Sequence, residues 1–232
     1  PPPQPTPAPQ PHTQDASVVL DGSVPCGASA DGYVSFNFDW HKNSEEPPAW
    51  VNMSAILLDL KNPLLVQAAT ALAPGHLRIG GSEGDVLVYD VPTKNSTCLS
   101  RGVNDTLMCL KMDRWKELVG FADQTGVQLV FGLNAMNGRK GNKSPLDLTN
   151  IEAFLSYTAE NKLQVKGFEL GNEKPGIDAT IMAADYKALA ALIAKYWPDK
   201  STRPLLIGND CNSNPGYLGK WLPQVASVLD VL

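Results

Sequence analysis

Gly167-Phe-Glu-Leu-Gly-Asn-Glu173 starts as a strand and finishes on an amide and a carboxylate. With Val165 and Lys166 before it, the apolar part is strand-sized, and Asn172 and Glu173 fall together at its C-terminal end. The neighbouring segments repeat the arrangement. Upstream, Val127-Gln-Leu-Val-Phe-Gly-Leu133 reads as a buried strand that stops at Asn134, and downstream Leu205-Leu-Ile-Gly208 stops just before Asp210. Between these strands, Ile151, Phe154 and Leu155, and then Tyr186, Leu189, Ile193 and Trp197, recur at helical spacing.

The pattern continues outward. Tyr33-Val-Ser-Phe-Asn-Phe-Asp39 alternates apolar and polar residues like a strand. Asn62-Pro63 opens a helix through Leu65, Ala68, Ala69 and Leu72. His76-Leu-Arg-Ile-Gly-Gly81 is a strand running into a glycine turn, and Val86-Leu-Val-Tyr-Asp90 is a short strand. Val91–Met112 reads as a long polar loop. Asp113 then caps a helix whose Trp115, Leu118, Val119 and Ala122 share one face. Leu218–Val228 is a fifth main helix, and Val228-Leu-Asp-Val-Leu232 reads as the start of a sixth strand.

Strands alternating with amphipathic helices make βαβ units and a parallel sheet. Polar residues recur just past the strand ends, at Asp39, Ser82, Asn134, Asn172 with Glu173, and Asp210. A (β/α)8 barrel keeps its active site at that edge. The rival is a doubly wound open sheet, but Gly80-Gly81-Ser-Glu-Gly84 is not a dinucleotide fingerprint and no P-loop is present. The expected fold class is therefore α/β, a (β/α)8 TIM barrel that is incomplete in this chain, with about five βα units plus the start of strand six. Residues 1–30 are expected to be a Pro-rich disordered segment, since seven prolines stand in the first twelve positions. Residues 31–232 form the barrel part. A full barrel takes about 250 residues, so a missing C-terminal segment or a second chain is expected to complete it. The piece alone should be inactive.

Composition narrows the function classes. Nineteen Lys and Arg against 24 Asp and Glu leave a net charge of −5 over 232 residues, which argues against nucleic acid as a partner. No apolar run approaches the roughly 20 residues that span a bilayer. At 43% hydrophobic residues the chain can bury a core. His12, His41 and His76 lack metal-ligand spacing, so no metal or other cofactor is expected.

The four cysteines, Cys26, Cys98, Cys109 and Cys211, allow several connectivities. Cys98 and Cys109 bracket a ten-residue loop and are the favoured disulfide, against the alternative of two free thiols. Four N-x-[ST] sequons, at Asn52, Asn95, Asn104 and Asn142, point to a secreted glycoprotein. No signal peptide is visible, so a mature or trimmed chain is expected.

Glycoside hydrolysis needs a carboxylic acid to protonate the leaving oxygen and a second carboxylate to attack the sugar or activate water. Glu173 suits the first role, and the adjacent Asn172 amide suits a sugar hydroxyl. Glu169 competes with Glu173. In an extended strand at about 3.3 Å per residue it lies roughly 13 Å below, inside the barrel. A buried Glu needs a partner, and Arg78 is the expected one.

Beyond Glu173 the sequence contains no further Glu. Asp185 and Asp199 flank a helix and are expected to cap it or face solvent. Asp210, at a strand end, is the one geometrical substitute. Asp39 and Asn134 each have a plain alternative as local turn or loop caps. The tryptophans are expected in the core, with Trp40 and Trp50 also able to stack on sugar. Arg139-Lys140 with Lys143 is either a solvated loop or a contact for an acidic uronate polymer.

Taken in order, several segments resemble the heparanase-type endo-β-glucuronidases of glycoside hydrolase family 79, especially their secreted plant branch. They are Phe36-Asn-Phe-Asp-Trp40, Leu77-Arg-Ile-Gly-Gly81 with Asp85 and Val88-Tyr-Asp90, Cys109 with Met112-Asp-Arg-Trp115, Phe131-Gly-Leu-Asn-Ala135 with Gly138-Arg139, and Phe168-Glu-Leu-Gly-Asn-Glu173. Leu229-Asp-Val231 resembles the beginning of a later family strand.

The resemblance implies a retaining glycosidase on a (β/α)8 barrel with a small β-sandwich domain, acting on uronic-acid-containing glycans or proteoglycans. It implies Glu173 as acid/base and Asn172 as a sugar contact. Asp39, Gly81, Ser82 and Asn134 would line the cleft, and the nucleophile would be a Glu outside this chain. A secreted or extracellular site, the cell wall, or a lysosome or vacuole would follow, with membrane association in some settings. Two residues depart from the family pattern. Lys174 stands where Pro usually follows the acid/base, either beside the carboxyl or in solvent, and Ser82 replaces a common Thr. The alternative from another class is a non-catalytic glycan-binding protein or a truncated heparanase-like one.

Overall fold

The computed structural model describes residues 17, 22–23, 27–29, 32–40, 54–92, 109–174, 176–210 and 214–232. The chain divides into two units, Pro1–Ala30 and Asp31–Leu232, and the second carries the elements below.

Strand and helix alternate as the periodicity requires. β1 (Phe36–Asp39) is followed by α1 (Pro63–Ala71) and β2 (His76–Gly80). A 3-10 turn (Ser82–Val86) leads into β3 (Val88–Asp90). Then come β4 (Cys109–Lys111), α2 (Met112–Thr125), β5 (Gln128–Leu133), α3 (Thr149–Glu160), β6 (Gly167–Leu170), α4 (Ala179–Tyr196), β7 (Leu205–Leu206) and α5 (Pro215–Val225). Five strands form one parallel sheet in the order β1-β2-β5-β6-β7. A further parallel bridge joins Ile207 to Val231, where a sixth strand was expected.

The order never reverses along the chain, so these strands have no switch point of the doubly wound kind. A parallel α/β sheet of this order is consistent with part of a TIM-barrel-like domain. These five strands all point the same way, and their C-terminal ends share one edge.

β5 and β6 are buried along almost their whole length, as strands of parallel sheets covered on both faces are. The core between β5, α2 and α3 is aromatic. Phe131, Trp115 and Phe154 touch with centroids 4.7 to 5.4 Å apart, and Tyr89 stacks on Phe154 at 4.3 Å. Trp115 Nε1 donates to Thr158 Oγ1 at 3.0 Å, so the indole is buried without losing its hydrogen bond. Trp40 is fully buried against Phe131. It therefore belongs to the core and presents no face to a sugar. Trp50 lies outside the described residues.

Two expectations are corrected. The segment Val91–Met112 is not all loop, because Cys109–Lys111 forms β4 and pairs in parallel with β3. α2 starts at Met112 with Lys111 at its N-cap, so Asp113 sits in the first turn rather than at the cap. There it still faces the positive end of the helix dipole. Asn62 and Asn214 do cap their helices, each accepting a backbone N–H inside the first turn. No helix among the described residues is long and apolar enough to cross a membrane.

Candidate active site at the strand C-termini

The C-terminal edge of the sheet gathers residues from β1, β2, β6 and the segment after β7. Asp39 ends β1 in register with Gly80 of β2. Gly81 follows with φ 100°, a conformation that favours glycine, and a Cβ there would lie 2.7 Å from Asp39 Oδ1. The glycine thus lets the carboxylate of β1 stand directly beside the turn after β2. Ser82 is exposed at the start of that turn.

Arg78 of β2 reaches along the sheet. Its Nε donates to Glu169 Oε2 at 2.7 Å and its Nη2 donates to Asn172 Oδ1 at 3.1 Å. Asp210 Oδ2 lies 3.9 Å from the same Nη2. The pairing of Arg78 with Glu169 is the one expected for a Glu buried below the strand end. Burial raises the pKa of Glu169, Arg78 opposes that effect, and the Asp210 charge adds to it. Glu169 is therefore a buried carboxyl committed to Arg78.

Asn172 is fixed at three points. Besides accepting from Arg78, it donates from Nδ2 to Ser82 Oγ at 3.3 Å and from its backbone N–H to Asp85 Oδ2 at 3.3 Å. It also bridges in parallel to Asp210. Glu173 comes next, exposed and with φ 48°. A non-glycine residue in this left-handed region carries strain, and such residues concentrate at functional sites. The turn begins at Gly171, φ 78°, where a Cβ would come within 2.8 Å of Ala135 Cβ.

Asp85 was visible in sequence only as part of a motif. It is 1% exposed and lies between three loops. Its Oδ1 accepts from Ala135 N at 3.3 Å, and its Oδ2 pairs with Lys174 Nζ at 3.0 Å. Its backbone carbonyl accepts from Met136 and Asn137. Burial pushes the Asp85 carboxyl up to about 6, against the lowering effect of Lys174 and the two backbone donors. Lys174 thus points at Asp85, not freely into solvent. The interaction joins residues far apart in sequence and leaves no local periodic signal.

Asn134 ends β5 as expected, but it is buried, and its Oδ1 accepts from the backbone N–H groups of Met136 and Asn137. Its side chain closes the loop, which is the alternative open from sequence. Two expectations are corrected here. Arg139 is not a surface contact: its buried guanidinium pairs with Asp185 at 2.7 Å and donates to the carbonyls of Ala135 and Ser144. Asp185 is accordingly neither a cap nor exposed. Asp199 is a local turn former, accepting from Ser201.

Cys109 is disulfide-bonded, while Cys98 lies outside the described residues. Asn142 is exposed, and the sequon residues Asn52, Asn95 and Asn104 lie outside the described residues. His76 sits half-buried with Nδ1 3.4 Å from the Gly32 carbonyl. No cluster of His, Cys, Asp and Glu among the described residues could hold a metal ion.

Comparison with known proteins places these features in a family. Residues 15–232 match the model of the glycosyl hydrolase family 79 N-terminal domain. Heparanase-like protein 3 of Arabidopsis thaliana is 33% identical over 215 residues, covering 84% of this chain and 40% of that protein. Baicalin-beta-D-glucuronidase of Scutellaria baicalensis is 30% identical, covering 84% of this chain and 43% of its own length. Heparanase of Gallus gallus is 26% identical, covering 80% and 42%. The chain spans less than half the length of these curated relatives.

Proposed function

Because the chain belongs to glycosyl hydrolase family 79, matching its N-terminal domain, we propose that it contributes the acid/base half of a retaining glycosidase acting on uronic-acid-containing glycans. Glu173 protonates the glycosidic oxygen as the bond to the sugar breaks, then takes a proton from the water that releases the glycosyl-enzyme. Asn172 offers its amide to a hydroxyl beside the reacting carbon. Asp39, Gly81 and Ser82 form the adjoining wall. The observation that carries this reading is the contrast at the end of β6, where Asn172 is held by Arg78, Ser82 and Asp85 while Glu173 stands exposed beside it. A positioned group next to an accessible carboxyl is what general acid catalysis requires.

The nucleophile stands about 5–5.5 Å from the acid/base in retaining enzymes. We assign it to a Glu outside these 232 residues. Glu169 is engaged by Arg78, Asp185 by Arg139 and Asp199 by Ser201. The same reading takes the domain as part of a (β/α)8 barrel and the protein as secreted, with a Cys98–Cys109 disulfide and a glycan on Asn142. Peptide mass mapping before and after enzymatic deglycosylation tests the last two.

The central test is Glu173→Gln in enzyme expressed from its complete coding sequence. Turnover of glucuronides with poor leaving groups should fall by about 10²–10⁴-fold. Nitrophenyl glucuronides, which leave without a proton, should lose far less in bond cleavage. Unchanged turnover of native glycan would overturn the assignment. Glu173→Gln protein that retains only glycan binding, alongside wild type that also only binds, would favour the non-catalytic reading.

A further inference from the structure

Resting on that reading of Glu173, we infer that Asp85, with Lys174, is a positioning residue that holds the acid/base turn against the rest of the site. The geometry is that of a buckle. One carboxylate oxygen of Asp85 accepts the backbone N–H of Ala135, in the loop after β5. The other accepts the backbone N–H of Asn172 and pairs with Lys174 Nζ at 3.0 Å, so it grips the chain on both sides of Glu173. The Asp85 carbonyl adds two further bonds to Met136 and Asn137. Three loops, from β2, β5 and β6, therefore meet on one buried residue.

The need for such a grip follows from the backbone. Gly171 and Glu173 both have positive φ within three residues, and Glu173 has a side chain that disfavours it. A turn of this shape persists only where its surroundings over-determine it. Asn172 carries hydrogen bonds to Arg78 and Ser82 through its side chain, and the main chain before Glu173 is tied to the neighbouring strands by the Gly171 N–H to the Leu133 carbonyl and the bridge of Asn172 to Asp210. Asp85 adds a buried acceptor for the Asn172 main-chain N–H on the N-terminal side of Glu173, and on the C-terminal side it holds the Lys174 side chain by the ion pair. Lys174 thereby gains a role in this chain that a proline at the same place would fill by stiffness alone.

The experiment uses enzyme from the complete coding sequence and a series of glucuronides graded from nitrophenyl to alkyl leaving groups. Asp85→Asn keeps the size but replaces an acceptor oxygen by a donor. It should lower kcat for alkyl glucuronides by about 10- to 100-fold, the loss typical of a misplaced catalytic group, with KM little changed and nitrophenyl glucuronides largely spared. Lys174→Met, which keeps the stem at a half-buried site and guards against misfolding of the first variant, should show the same leaving-group split more weakly. The double variant should be no worse than Asp85→Asn, because the two residues act through one contact.

If Asp85→Asn and Lys174→Met fold and lose activity equally on every leaving group, or lose KM instead of kcat, the positioning role is overturned while Glu173 keeps its own. If Glu173→Gln shows no leaving-group split, the acid/base assignment fails and the positioning role falls with it.

Discussion

Arg78 holds groups from two neighbouring segments at once: Glu169 and Asn172 around the end of β6, and Asp210 beyond β7. Removing it would leave Glu169 buried with its principal charge partner gone. Arg78→Leu should destabilise the protein by about 3 kcal/mol, read as a lower denaturant midpoint at unchanged slope. Asp85 is a second buried carboxyl, pushed up from 3.8 to about 6 by burial. A folded-state carboxyl with raised pKa binds its proton more tightly than the unfolded chain does. Its contribution therefore makes stability fall as pH rises from about 4 to about 6 and level off above that, by up to about 3 kcal/mol. Asp85→Asn should flatten that part of a stability profile measured by chemical denaturation. Of these two residues, Arg78 with Glu169 could be paired from sequence, since the strand rise puts Glu169 well below the strand end, where a buried carboxylate needs a cation on a neighbouring strand. Asp85 with Lys174 could not, since each lies in a turn and nothing in its own neighbourhood marks the other.

The elements depend on contacts between loops and helices as much as on strand pairing. The loop between β5 and α3 is fixed to α4 by the buried Arg139–Asp185 pair, and Leu146 N–H donates to the same Asp185. Asp185→Ala should cost about 3–5 kcal/mol by leaving a buried guanidinium without its charge partner, whereas Arg139→Met combined with Asp185→Leu should recover much of that loss. At the start of α4, Asp178 accepts from Thr180 N and Ile181 N. Asp178→Ala should lower stability by about 1 kcal/mol, measured by the same denaturant titration. Helix faces were legible because Trp115, Leu118, Val119 and Ala122 repeat at the helical period and are all buried. β4 was not legible, because a three-residue strand inside a polar segment is too short to show a period. Asp185 was misread for a related reason. Its position near the end of a sequence stripe says where the helix runs, and nothing about the arginine that approaches it from a loop.

For the whole molecule, strand order was readable because each strand is followed by a helix and pairs with the strand before it in the sheet; β3 and β4, lying beside that sheet, are the exception. What alternation does not encode is how tightly the layers pack. That tightness depends on Phe131, which touches Trp40, Tyr89, Trp115 and Phe154 at once. Phe131→Ala should cost about 3–5 kcal/mol, enough to consume much of the margin by which a domain stays folded. That narrow margin gives the left-handed backbone at Glu173 an evolutionary meaning. Lys162, just past α3 and before the start of β6, shares the conformation with φ 55°. Replacing either residue by Gly should relieve about 1 kcal/mol of strain. A library screened for heat resistance alone would enrich glycine at both positions. One screened for glycoside cleavage would accept it only at 162, because glycine at 173 relieves the strain but also removes the acid/base carboxyl, so the strain at 173 persists as a cost of keeping that side chain in place.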